Sequence, residues 1–247
     1  MSKSITQKKP TPAPKTSIAL RALPEVWQRL ACEMRQHDFQ KGDPVIHHGD
    51  YASAMWLVRK GWVKLTRQTP DGKETVIGLC TEGDVFGEAA LFPKASYPYH
   101  AEVIDDETIL SSIPTESLRR AVADDAEFSK TVMSTLGERI IETQLKLEHM
   151  STMSTAQRLG CFLLYLCKDH TNNQATLRIP VEKHILAAYL GMKPETLSRS
   201  QQQLKCFGVQ VQGAQVTLGD IDKLRDFVCN SCSESGSCKT ECGGIEE

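Results

Sequence analysis

Between His184 and Lys205 the chain reads HILAAYLGMKPETLSRSQQQLK, and few arrangements of backbone accommodate that order of residues. Ile185, Leu186, Tyr189 and Leu190 recur at helical spacing until Gly191 interrupts the period. Pro194 can then open a second helix, because the N–H it lacks falls where the first donors of a helix have no partner. Two helices joined by a short glycine-containing turn make a helix-turn-helix. On the second helix Glu195, Ser198 and Arg199 stand at i, i+3 and i+4 and share one face, while Leu197 and Leu204 point to the other. Arginine can bond guanine O6 and N7 together, a carboxylate can accept from cytosine N4, and a small hydroxyl can meet a thymine methyl or a phosphate. The helix pair alone is equally consistent with a surface hairpin bearing an ordinary charged face.

The formal net charge of -2 offers no global basic signature, so affinity for nucleic acid must be local. It is concentrated in this stretch. Arg178, Lys183, Lys193, Arg199 and Lys205 stand against Glu182 and Glu195, a surplus of three positive charges (five minus two). With 247 residues, 40% hydrophobic and 24% charged, the chain has the material for one or two globular domains. No apolar run reaches the ~18 residues a membrane span needs, and the N-terminus lacks the apolar core of a signal peptide, so the expectation is a cytoplasmic protein without membrane partners.

Residues 1–17, rich in Lys, Pro, Thr and Ser, read as a disordered arm. From Leu23 to His37 a stripe of Val26, Trp27, Leu30, Ala31 and Met34 predicts a lead-in helix. Between Phe39 and Ile113 the period becomes that of strands. Pro44–His47, Met55–Val58, Trp62–Thr66, Thr75–Leu79, His100–Ile104 and Thr108–Ser112 alternate with Gly- and Asp-rich turns, which predicts a small antiparallel barrel or roll within 18–124. From 125 to 150 Met133, Leu136, Ile140, Thr143, Leu147 and Met150 repeat three and four residues apart, the seam of a helix that packs on another helix. Within 151–228, Ala156 to Cys167 predicts an apolar core helix in which Cys161 and Cys167 are buried, and Val209 to Leu218 alternates around Gly213 as a hairpin does. Helix-turn-helix plus hairpin is a winged helix, and the whole is an α+β chain.

His47, His48, Glu88 and His100 raise a metal enzyme of the cupin type as an alternative for the roll. Adjacent strand residues face opposite sides, so His47 and His48 cannot both point inward.

After Phe227 the composition changes to CNSCSESGSCKTECGGIEE, the cysteine-rich tail 229–247. Cys229, Cys232, Cys238 and Cys242 follow a Cys-x2-Cys-x5-Cys-x3-Cys spacing among residues that cannot build a core. Four thiolates so close can enclose one metal centre. The spacing is too compact for a two-knuckle zinc ribbon and nearer to that of cluster-binding loops. An iron–sulfur cluster, zinc and thiol redox switching are the readings left open, with Cys80 and Cys206 as minor ligand candidates.

The runs GDYASAMWLVRKGWVKL, PDGKETVIGL and GDVFGEAALF resemble the cyclic-nucleotide-binding β-roll of the CRP/FNR family of bacterial transcription regulators. The similarity continues through the long helix and the helix-turn-helix, over roughly residues 23 to 228. It implies an N-terminal cyclic-nucleotide-binding-like β-roll, a dimerisation helix using Met133, Leu136, Ile140, Leu147 and Met150, and a C-terminal winged helix that reads DNA. Glu195, Ser198 and Arg199 match the Glu-x-x-Ser-Arg pattern of FNR-type recognition helices, which implies a homodimer on an inverted repeat with TTGAT-like half-sites, flanking contacts from Lys183 and Lys193, and contact with RNA polymerase. Iron–sulfur relatives sense oxygen through cysteines, so the resemblance implies control by oxygen, nitric oxide or redox state through a cluster, 4Fe–4S in type, on the tail. It also marks a departure. Family members that bind cyclic AMP place an arginine and a hydroxyl residue after the GDVFGE-like motif to hold its phosphate, whereas here KASYPYHA puts Tyr99 and His100 there. Glu88 remains to bond a ribose hydroxyl, but cyclic AMP is not the expected effector, and a haem or other small molecule in the roll is the alternative.

Overall fold

The computed structural model describes residues 30, 32–167 and 172–229. Two four-stranded antiparallel sheets form the N-terminal roll. One has the order β1-β8-β3-β6, with β1 Arg35–Phe39, β3 Ala54–Lys60, β6 Val85–Phe86 and β8 Thr108–Pro114. The other runs β2-β7-β4-β5, with β2 Pro44–Ile46, β4 Val63–Gln68, β5 Glu74–Cys80 and β7 His100–Val103. Val58, Val63, Phe86, Val103 and Leu110 close the space between the sheets with no exposed surface. Burying one such side chain contributes ~1.5–3 kcal/mol, so the roll has a core of its own. Gly61, at φ 95, turns β3 into β4 where an added Cβ would lie 2.9 Å from the Thr108 Cα. Only glycine fits that turn.

The lead-in helix does not reach His37, as the apolar stripe suggested. Leu30 is helical, but Arg35–Phe39 is strand β1, paired residue for residue with β8. Met34 meets the stripe by packing on the roll core from the turn before β1. Edge pairing outweighs a helical period only two turns long, because the exposed edge of β8 offers a full row of backbone partners. The arm 1–17 lies outside the described residues.

Helix α1, Thr115–Asp124, follows β8 directly. It was not separable from the roll in the sequence. Asp125 then accepts from the Glu127 and Phe128 N–H groups and caps α2, Ala126–Thr152, the long helix foreseen for 125–150. Ser154 and Gln157 form a reciprocal capping box at the start of α3, Thr155–Leu166. Around α3 the winged helix assembles from β9 Ala175–Arg178, α4 Lys183–Tyr189, α5 Pro194–Leu204, the hairpin β10 Val209–Gln212 and β11 Gln215–Leu218, and α6 Ile221–Cys229. Strand β9 adds to β11 and makes the wing three-stranded. Cys167 is buried as foreseen, while Cys161 is half-buried, its Sγ 3.9 Å from His149 Nδ1. Among the described residues no helix is long and apolar enough to cross a membrane.

Candidate nucleic-acid interface

Helices α4 and α5 place the reading face as the residue order requires. Leu190 ends α4, Gly191 takes φ 64, and Pro194 is the first residue of α5. A Cβ at Gly191 would crowd only the flexible end of the Met150 side chain, so it is the backbone angle that calls for glycine at this turn. Leu197, Ser200 and Leu204 anchor α5, with Leu197 and Leu204 fully buried among α3 residues and the wing. This fixes the opposite face outward. Glu195 and Arg199 are exposed, and Ser198 is half-exposed with its hydroxyl donating to the Pro194 carbonyl at 3.2 Å. Lys193 precedes α5 without capping it through its side chain, so its ammonium stays available, as do the exposed Lys183 at the start of α4 and Lys205 beyond α5.

The basic patch is smaller than the sequence count. Arg178 is paired with Asp105 of the roll through two bonds, Nη1 to Oδ2 at 2.6 Å and Nη2 to Oδ1 at 2.8 Å. Asp105 is only 4% exposed, and this contact raises the Arg178 pKa above its ordinary value. Glu182 is likewise drawn away, to Lys41 at 2.9 Å, which holds its carboxyl below the usual range. Lys183, Lys193, Arg199 and Lys205 remain as exposed cations of this stretch, with Glu195 as the exposed carboxylate of α5. That arrangement suits a phosphate backbone with a base-reading centre.

The same contacts seat the winged helix on the roll. Trp62 and Ile104 of the roll belong to the apolar core that contains α3, α4 and α5. Tyr165 donates to Asp84 at 3.0 Å, and Lys146 of α2 lies 3.8 Å over the Tyr189 ring. None of these groups belongs to the Glu195–Arg199 face, so docking leaves that face open. Asp105 and Arg178 lie 73 residues apart, and no spacing in the sequence reveals such a pair.

Two family models match in tandem, a cyclic nucleotide-binding domain over residues 36–125 and a Crp-like helix-turn-helix domain over 157–227. A Ruegeria pomeroyi protein of known structure, provisionally named as cyclic nucleotide binding, is 32% identical with TM-score 0.69, the match covering 85% of this chain and 93% of that one. The global nitrogen regulator of Synechocystis sp. is 30% identical over 154 residues, 60% of this chain and 68% of that protein. The chain belongs to the CRP/FNR family of transcription regulators. Another similar protein, the CRP-like cAMP-activated global transcriptional regulator of Mycobacterium tuberculosis, is 24% identical over 205 residues, 81% of this chain and 91% of that protein. This CRP/FNR chain is thus a DNA-binding regulator built from a nucleotide-binding-type roll and a winged helix.

Other foreseen sites are distributed unevenly. Met133, Ile140 and Leu147 stand out on α2 at 72%, 60% and 67% exposure, joined by Ile141, while Leu136 is half-buried. Met150 is 46% exposed and also engaged within the chain, its sulfur accepting from Arg158 at 3.2 Å and its methyl packing at Gly191. Of the tail cysteines only Cys229 is among the described residues. It is the last residue of α6, not the first of the tail, and it is buried in the winged-helix core. Among the described residues no group of three or more His, Cys, Asp or Glu could hold a metal. His47 and His48 are both exposed at the rim of the roll, so the inward histidine pair of a cupin centre is not formed.

Proposed function

We propose that this regulator acts as a homodimer on an inverted repeat with TTGAT-like half-sites, using Glu195, Ser198 and Arg199 for base edges and Lys183 and Lys193 for phosphates. The observation that carries this reading is the outward face of α5, held by the buried Leu197 and Leu204. The exposed Met133, Ile140, Ile141 and Leu147 supply the apolar stripe through which α2 would pair with its copy. Contact with RNA polymerase belongs to the same reading. So does control by oxygen, nitric oxide or redox state through Cys229, Cys232, Cys238 and Cys242.

Only the spacing of the four cysteines supports a metal centre. Cys229 is packed in the α6 core and the other three lie outside the described residues. An iron–sulfur cluster there would supply reactivity toward oxygen and nitric oxide, with zinc as the redox-inert alternative. Either way, a signal at the end of α6 changes DNA affinity only as far as it favours one of two arrangements of the winged helix.

The test is anaerobic purification of the full chain and of a Cys232→Ser, Cys238→Ser, Cys242→Ser variant, with iron, sulfide and zinc assays and DNA binding before and after exposure to air. Iron and sulfide in the first protein only, with an air response only there, is the expected result. A metal-free wild-type protein with the same air response as the variant would sink the cluster.

A further inference from the structure

The roll contains a polar relay that none of the preceding functions uses. Its first member is Tyr99, 7% exposed and part of the roll core. Its hydroxyl accepts from the Gly87 N–H at 2.7 Å and donates to Glu88 Oε2 at 3.0 Å. The second carboxylate oxygen of Glu88 meets Arg139 Nη2 of helix α2 at 2.6 Å, and the same nitrogen donates to the Val85 carbonyl at 3.3 Å. Tyr97 closes the other side, with its hydroxyl between the N–H and carbonyl of Ala54 and its ring against Gly87. The start of the 3-10 turn Glu88–Leu91 therefore has both its polar groups engaged from within the chain.

Those two groups, one N–H and one carboxylate, are the chemistry that a hydroxylated ligand such as a ribose would recognise at this place. A phenol hydroxyl presents the same donor and acceptor atom on a rigid ring that burial has already desolvated. Any entering sugar must break two hydrogen bonds and expel a buried aromatic side chain before it gains the same two bonds. We infer that Tyr99 is an internal ligand of the roll, which fills the cyclic-nucleotide site and holds Glu88 in the orientation that locks Arg139 and thereby the long helix α2. The roll is then permanently in its liganded arrangement, and α2 is coupled to it without an added effector. Tyr99 is a positioning residue, acting on α2 through Glu88.

Burial of the Tyr99 hydroxyl and the neighbouring Glu88 carboxylate push its pKa upward, so it remains a donor across the neutral range. The Arg139 guanidinium is a permanent cation in spite of its burial, held so chiefly by Glu88. Neither Tyr99 nor Arg139 therefore changes its charge at neutral pH.

The experiment uses the full chain and follows amide hydrogen exchange along α2 together with titration by 3′,5′-cyclic AMP and 3′,5′-cyclic GMP. Wild type should take up neither nucleotide at millimolar concentration. Tyr99→Phe keeps the ring and deletes the hydroxyl, and should speed exchange around Arg139 about tenfold, the size expected for loss of a hydrogen bond to a charged group. Arg139→Gln should do the same, and the double variant should add nothing further, because both act on Glu88. Glu88→Gln, which preserves shape, provides the same readout should the ring variant fold poorly. A wild-type protein that binds either nucleotide, exchange in Tyr99→Phe and Glu88→Gln equal to wild type, or fully additive effects in the double variant would each overturn the inference. Since none of these measurements involves the tail cysteines or DNA, failure here is distinct from failure of the proposed regulation.

Discussion

The roll and the winged helix both retain the motifs of a CRP/FNR regulator, but they use them in opposite ways. In the winged helix, buried Leu197 and Leu204 hold α5 so that Glu195 and Arg199 project outward, exposed among the described residues. In the roll, the turn glycines and Glu88 persist, yet Tyr99 bonds the groups that would face a ligand. One half is left open to a partner and the other is closed on itself. A motif that sets backbone turns therefore reports the fold, while occupancy of the site is decided by a side chain outside the motif.

The largest effect that tests this contrast comes from emptying the support of the open half. Leu197→Ala removes a fully buried side chain from α5 and should lower unfolding free energy by about 2–5 kcal/mol in urea. DNA affinity should fall along with it. A variant that stays as stable as wild type would mean that α5 is not anchored through Leu197, and the outward face would lose its cause.

Next in size is the reading face itself. Arg199→Ala should weaken a specific site by about 1–3 kcal/mol and relax preference at one base position, with little change on random DNA. Lys183→Ala should reduce binding to all sequences alike and flatten the salt dependence, since a phosphate contact carries no base information. Equal losses by Arg199→Ala on specific and random DNA would make α5 a backbone binder.

These contrasts also explain what was legible in the sequence. The helix-turn-helix could be read because each feature is local: Gly191 and Pro194 punctuate, and Leu197 and Leu204 repeat at helical spacing. The roll strands could be read from their turns. The reach of Tyr99 to Gly87, twelve residues back, could not, because it is a tertiary contact between the segment before β7 and the turn after β6 in the other sheet. Nor could the pairing of Arg178 with Asp105, which moved one cation out of the supposed DNA patch. Helix α1 escaped because β8 runs straight into it at Pro114 with no loop between them, and the strand character of Arg35–Phe39 because its partner strand is β8, far away in sequence.

The junction between the halves offers a smaller test. Asp105→Asn keeps the shape of the side chain and removes the charge that Arg178 grips, and should loosen the seating of the winged helix by about 1–2 kcal/mol, since the guanidinium is partly solvated and recovers water. The charge swap Asp105→Arg with Arg178→Asp should restore part of the loss. If DNA affinity and the protease sensitivity of residues 168–182 are the same in all three proteins, the pair does not seat the domain.

The smallest expected effect lies where both halves meet the long helix. Lys146 donates to the Ile77 carbonyl of β5 at 3.4 Å and sits over the Tyr189 ring of α4. Burial lowers its pKa from 10.5 to about 8. With the folded value depressed, the unfolded chain binds the extra proton between those two values, so stability attributable to Lys146 rises with pH from about 8 to 10.5 and is flat below. The cation–π contact with Tyr189 opposes the burial penalty, so the gain is smaller than burial alone would give. Buried thiols and phenols titrate there too, with the opposite sign, so the quantity to measure is the difference between wild type and Lys146→Met in urea at each pH. That difference should grow in favour of wild type as pH climbs through the window. A constant difference would mean that the ammonium is as well solvated in the folded protein as in the unfolded chain, and that water, not packing, lies between the open half and the closed one.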